Sequence, residues 1–201
     1  MTEGKALPGP DAAWVVIETS IAPAGLAVFC GDLERLYRIN PFLEFASWQQ
    51  SAPDRFRAEL LNHSNQRRAL LEGVLRRMSE REFCVDFASG LKRRTCFEIR
   101  PRPGGSSLTI TDEYRAAAAS TAPLEAQVDH SLHAWGVAIK AYLERDRRWG
   151  WIPLFRPFVQ RVWVPMKPSA RRITFLILAI GLADLLLIAL GFAIYWLEAG
   201  R

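Results

Sequence analysis

The run ITFLILAIGLADLLLIALGFAIYW, residues 173–196, has 24 residues and one charged side chain, Asp184. An α-helix rises 1.5 Å per residue, so the run extends over about 36 Å, more than the roughly 30 Å hydrocarbon core of a bilayer. A helix packed on a soluble core carries a polar face, and this one has none. It is expected to cross a membrane over 173–197, with 198–201 as a short tail. The rest of the 201-residue chain has room for one domain of about 150 residues.

Asp184 constrains the span further. A carboxylate at mid-bilayer costs about 2.5–3.5 kcal/mol and rarely faces lipid. At three- and four-residue steps it shares a stripe with Gly181, Ile188 and Gly191, a close-packing surface with one polar contact in it. The stripe predicts docking against a transmembrane partner, either a second copy or another membrane protein. The alternative is a protonated acid tolerated on an isolated span.

Charge gives the orientation. Residues 140–172 hold nine Lys or Arg against Glu144 and Asp146, an excess of seven in a chain whose total is +5. Basic flanks stay in the cytoplasm, so the N-terminal domain is expected there, in a single-pass protein (of the inner membrane if the cell is bacterial). The opening MTEGKALPGPDAA lacks the basic-then-apolar pattern of a secretory signal, and residues 1–12 read as a disordered leader. Outside 140–172 the balance is slightly acidic, which excludes nucleic acid as a partner. Cys30, Cys84 and Cys96 form no CxxC pair and leave an odd one over, so in a reducing compartment they are expected as free thiols.

Between domain and span, residues 147–172 interleave Trp149, Trp151 and Trp163 with Arg156, Arg161, Lys167, Arg171 and Arg172. Indole rings favour the headgroup layer and cations favour anionic lipid, so the stretch reads as a belt on the membrane surface. Pro153, Pro157, Pro165 and Pro168 argue against one continuous helix there.

Within 13–146 the pattern is mixed. AWVVIETSI reads as a strand. Leu26, Phe29, Leu33 and Leu36 then recur at helical spacing, with Gly31 between two short helices and Pro41 closing the second. LEFASWQQ and DRFRAELLNHS read as strands joined at Ser51–Pro53. Residues 66–80 fit a helix and a strand equally well, and their neighbours favour a strand. REFCVDF, LKRRTCFEIR and SSLTITDEYRA follow as three strands. A three-residue loop, Ala88-Ser89-Gly90 with Gly90 at positive φ, puts Phe83, Val85 and Phe87 on the face that holds Thr95, Phe97 and Ile99, with Asp86 opposite Lys92. Pairing Ile99 with Leu108 then sets Phe97 opposite Ile110, Thr95 opposite Asp112 and Arg94 opposite Glu113. This register places Arg93, Asp112 and Tyr114 on the apolar face. A helix is expected from Thr121 and Pro123, with an apolar stripe of Leu124, Val128, Leu132, Trp135, Ile139 and Leu143.

Strand, two short helices, a meander of strands and a long helix make an α+β fold. The order resembles the START-like or polyketide-cyclase superfamily, whose fold is the helix-grip: a curved antiparallel sheet of about six or seven strands wrapped on a long C-terminal helix. The phrases VVIETSIAPAGLAVFCGDLERLYRINPF and GLKRRTCFEIRPRPGGSSLTITDEY carry the likeness, which covers roughly residues 13–146. It implies an elongated hydrophobic cavity that holds lipids, sterols, quinones, pigments or polyketides in relatives.

Phe83, Phe87, Phe97, Ile110 and Trp135 are therefore candidate cavity walls as well as core. Arg93, Asp112 and Tyr114 would orient a ligand head group, or seal one end of the sheet as a structural ion pair. Asp129, His130 and His133 lie about one helical turn apart, but no further ligand accompanies them, and no metal is expected. No acid–base pair, nucleophilic triad or phosphate loop stands out, so the expectation is binding rather than catalysis and no cofactor beyond a bound lipid or quinone. Two readings follow. One is a membrane-anchored module that takes a hydrophobic small molecule (lipid, isoprenoid quinone or pigment) at the cytosolic membrane face. The other is an accessory or assembly subunit of a membrane complex, docked through its span.

Overall fold

Alternation of apolar and polar residues builds the sheet. In the computed structural model, which describes residues 12–115 and 131–199, seven antiparallel strands form one sheet. They are β1 (Ala12–Thr19), β2 (Leu43–Ala52), β3 (Arg55–Asn62), β4 (Arg67–Arg77), β5 (Glu82–Phe87), β6 (Lys92–Arg102) and β7 (Gly105–Tyr114). Their order is β1-β7-β6-β5-β4-β3-β2. Each strand from β2 to β7 pairs with its successor, so that part is a meander. Strand β1 sits at the far edge beside β7. Helices α1 (Pro23–Gly31) and α2 (Leu33–Arg38) carry the chain from β1 at one edge to β2 at the other. The residues that fit helix and strand equally form β4, a ladder partner on both sides.

Gly31 ends α1, and the Asp32 side chain accepts from the Arg35 amide to start α2, an N-cap that satisfies a helix-end donor. Helix α3 (Ser131–Trp149) buries Leu132, Trp135, Ile139 and Leu143. The expected earlier part of this helix, with Leu124 and Val128, lies outside the described residues, as do residues 1–11, Asp129 and His130. Trp135 Nε1 donates to the Leu36 carbonyl at 2.8 Å, and Asn40 Nδ2 donates to Ser131 Oγ at 3.0 Å. Both bonds are buried and tie α3 to the α2 end. Gly136 lets α3 approach β1: a Cβ there would meet Val15 Cγ2 at 2.7 Å.

The two C-terminal hairpins define the inner face. Ile99 pairs with Leu108, Phe97 with Ile110, Thr95 with Asp112 and Arg94 with Glu113, as the alternation requires. The first hairpin is corrected by two residues: Asp86 pairs with Arg94 rather than Lys92, and Phe83 with Phe97. A shift of two keeps every side chain on its face, so Phe83, Val85, Phe87, Thr95, Phe97 and Ile99 are all buried. Gly90 takes φ 91°.

The same ladder corrects the thiol expectation. Cys84 faces Cys96 with a Cα separation of 4.1 Å, and the two form a disulfide. That spacing is typical of a non-hydrogen-bonded antiparallel pair, where side chains come closest. Cys30 remains a buried free thiol, and desolvation pushes its pKa up to about 12.

The chain divides into two units, Met1–Pro165 and Met166–Arg201. In the first, the prolines break the segment after Trp149 as expected: a short helix α4 (Phe155–Phe158) runs into a π-helical turn (Val159–Trp163). The second contains α5 (Pro168–Ala199), 32 residues long. Its Ser169–Glu198 portion is long and apolar enough to cross a membrane, with none of its apolar window buried.

Candidate functional site

A strand bulge decides what faces the interior at the β6–β7 end. Lys92 pairs with Tyr114 and Arg94 with Glu113, leaving Arg93 as the extra residue between them. A bulge bends the strand and re-aims its side chains. Arg93 consequently turns outward, 60 % exposed, and pairs with Glu113 at 2.5 Å. The expectation that Arg93 points inward is corrected, and Lys92 takes that place. Lys92 Nζ lies 2.7 Å from Asp112 Oδ2, and Asp112 is fully buried.

A polar floor surrounds this pair. Thr95 Oγ1 donates to Asp112 Oδ1 at 2.5 Å. The Tyr37 hydroxyl is buried beside them, and desolvation followed by the Asp112 charge raises its pKa, so it stays a neutral hydroxyl. Above the floor opens a cavity of about 150 Å³. Its apolar walls are Leu43, Leu70, Leu71, Phe87 and Leu91, and its polar lining includes Tyr37, Asn62, Lys92 and Tyr114. The Ser89–Gly90 turn lies at its edge. That turn is clamped by Arg115, which donates to the carbonyls of Phe87, Gly90 and Lys92 at 2.5, 2.5 and 3.2 Å.

Of the residues expected at the cavity, Phe87 and Tyr114 line it and Asp112 supports it through Lys92. Phe83, Phe97, Ile110 and Trp135 fill the core instead. Phe83 stacks on Phe97 at 4.8 Å, and Phe97 meets Trp135 edge-on at 6.0 Å. Such ring pairs pack the sheet against α3 at these positions. Sequence reasoning missed Tyr37, Lys92 and Arg115. The signal for Lys92 was present: moving Arg93 outward gives Glu113 a cation and leaves Lys92 for the buried acid.

The belt residues divide between the two units. Trp149 and Trp151 are exposed, the latter 78 %, and Arg161 is exposed as well. Arg156 makes a bidentate pair with Asp146 at 3.1 and 3.2 Å, and Trp163 is half-buried. Lys167 precedes α5, and Arg171 and Arg172 lie in its first turns. Gly181, Asp184, Ile188 and Gly191 are all exposed on α5, and a Cβ at either glycine would meet open space. Among the described residues no group of three His, Cys, Asp or Glu could hold a metal.

No protein-family model matches the chain, and no curated protein matches it by sequence. Solved structures do. A START superfamily protein from Mycobacterium smegmatis superposes with a TM-score of 0.54 at 12 % identity, covering 67 % of this chain and 97 % of that one. The fold is that of the START superfamily. A second M. smegmatis protein matches this START fold with a TM-score of 0.51 at 14 % identity, over 71 % of this chain and 97 % of its own. The di-domain ARO/CYC protein of the steffimycin biosynthetic pathway gives 0.51 at 11 % identity, over 69 % and 52 %. The START-fold headpiece is thus an α+β helix-grip followed by one apolar helix.

Proposed function

We propose that the chain is a membrane-anchored START-fold module whose cavity takes the polar end of a hydrophobic small molecule. The observation that carries this is the Lys92–Asp112 pair at the floor of a cavity walled by Leu43, Leu70, Leu71, Phe87 and Leu91. A few placed polar groups in an apolar pocket fix a ligand's orientation. The cavity's 150 Å³ is below the roughly 300–1,000 Å³ of a pocket that swallows a drug-sized molecule. It therefore takes a head, and the tail leaves through the mouth. An ammonium and tyrosine hydroxyls are donors, which suits a carbonyl or phenol oxygen. Among lipid, isoprenoid quinone and pigment, that favours a quinone-type ring. START-fold neighbours, one of them an ARO/CYC protein, support a hydrophobic ligand. Extraction and mass spectrometry of the full chain, purified from its own membrane in mild detergent, tests this. One hydrophobic molecule per chain supports the reading, and an empty chain in every preparation overturns it.

The apolar helix Ser169–Glu198 supports anchoring, and the basic flank supports a cytoplasmic headpiece. The Cys84–Cys96 disulfide points the other way, because disulfides persist in oxidising compartments. The basic flank acts during insertion, before any disulfide can close. Protease added to intact cells digests the headpiece only if the opposite orientation holds.

The second reading, a subunit docked through α5, is favoured by Asp184 beside Gly181 and Gly191 on an open stripe. Pull-down in mild detergent would recover a defined complex that Asp184→Leu abolishes. Monomer alone, unaffected by that substitution, overturns it.

A further inference from the structure

A second cavity, of about 510 Å³, lies between α1, the end of α3 and the turn after α4. It shares no lining residue with the first. Three guanidinium groups line it, from Arg35, Arg147 and Arg156, against one carboxylate, Asp146. Asp146 is committed to Arg156 by two hydrogen bonds. Gly150 makes room for that arrangement, since a Cβ there would meet Arg156 Nε and Nη2 at 2.9 Å. Arg35 is held by Asp32, which lies outside the lining, at 3.3 Å and lies over the Phe29 ring at 5.0 Å. The two carboxylates offset two cations, and Arg147 leaves the walls with one net positive charge.

The surroundings are apolar and exposed. Val28, on the rim, is 77 % exposed, and Leu154 and Phe158 are exposed on the turn that supplies Arg156 and Gln160. Nine residues beyond Gln160 the candidate span begins at Ser169. A cationic notch with an apolar rim matches a phosphate diester that carries acyl chains.

We propose that this notch binds the headgroup of an anionic glycerophospholipid, with Arg147 and Arg35 on the phosphate and Val28, Leu154 and Phe158 at the acyl layer. The inference rests on the reading of 147–172 as a membrane-facing belt, and it gives that belt one defined lipid site. A charge-assisted hydrogen bond to phosphate is worth about a factor of ten or more in affinity.

The test uses the full chain in mild detergent, with phosphatidylglycerol, phosphatidylcholine and inorganic phosphate as probes and native mass spectrometry as the readout. One phosphatidylglycerol per chain is expected, held about tenfold more tightly than phosphatidylcholine. Arg147→Gln and Arg147→Glu remove the preference, and both fold because Arg147 is exposed. Arg81→Gln, which takes the same charge from outside both the notch and the belt, leaves it intact. Equal retention of the two lipids overturns the inference, as does an equal loss in Arg147→Gln and Arg81→Gln. Displacement of the lipid by millimolar inorganic phosphate would reveal a free-anion site and also overturns it. Carbonate washing of membranes separates this from the anchor: chains that stay in the pellet without a lipid preference sink the notch alone, and released chains sink the anchor.

Discussion

Lys92 Nζ and Asp112 Oδ2 sit 2.7 Å apart on neighbouring strands, and the next residue, Arg93, turns away to Glu113. One bulge gives two adjacent cations opposite fates. Breaking a buried pair by removing one partner costs about 3–5 kcal/mol, whereas an exposed pair contributes about 0–1 kcal/mol. Lys92→Met should therefore lower the full chain's unfolding free energy by about 3 kcal/mol and Arg93→Leu by less than about 1 kcal/mol. Denaturant titration distinguishes them. Equal losses would mean that the bulge is misplaced.

Gly105 opens β7 against the end of β1. A Cβ there would collide with the Thr19 carbonyl oxygen and Ser20 Cα, backbone atoms that cannot swing aside. Gly105→Ala is expected to cost about 1–3 kcal/mol, the range for forcing extra volume into a packed site. Gly181→Ala in α5 meets nothing and should not lower the melting temperature of the isolated chain.

Thiol counting checks the sheet directly. Protein purified without reductant should show one free thiol after denaturation, Cys30, and none that reacts in the native state, where burial raises its pKa to about 12. Thiolate is the reactive form. Three thiols after denaturation would remove the Cys84–Cys96 bond.

Asp86 accepts from Arg94 at 2.5 Å and pairs with Arg76 at 2.6 Å, and the Arg94 hydrogen bond holds its carboxyl below the ordinary 3.8. A lowered native pKa stabilises the fold in full above that ordinary value and is lost as pH falls through the lowered one. Asp86→Asn should therefore destabilise the chain at pH 7, and its difference from wild type should shrink as pH falls below 3.8. A difference that is constant with pH would contradict the pair.

Period-two alternation carried most of the sheet. It fixed the β6–β7 pairing from Ile99–Leu108 to Arg94–Glu113 because that register sets Ile99 and Phe97 against apolar partners and Arg94 against an acid. It also sorted the faces of β5 despite a two-residue error, since faces depend only on parity. What alternation cannot encode is a bulge, which inserts one residue and inverts everything before it; hence Arg93 was placed inside and Lys92 missed. The disulfide was hidden because spacing alone does not set Cys84 opposite Cys96. Tyr37 reaches the cavity from outside the hairpins, through tertiary packing that no local pattern records, and Arg115 clamps the turn at its edge. The apolar run was legible in full, extended by the helix back to Pro168.

The proposed occupant of the cavity over Lys92 and Asp112 is the head of a hydrophobic molecule. It is tested most directly by quantitative mass spectrometry of organic extracts from wild-type chain and from Leu71→Trp, which fills the cavity from its apolar wall and keeps both charged side chains. About one molecule per wild-type chain is expected, and at least a tenfold loss in the variant, with the melting temperature preserved. Equal ligand content in the two proteins would contradict it.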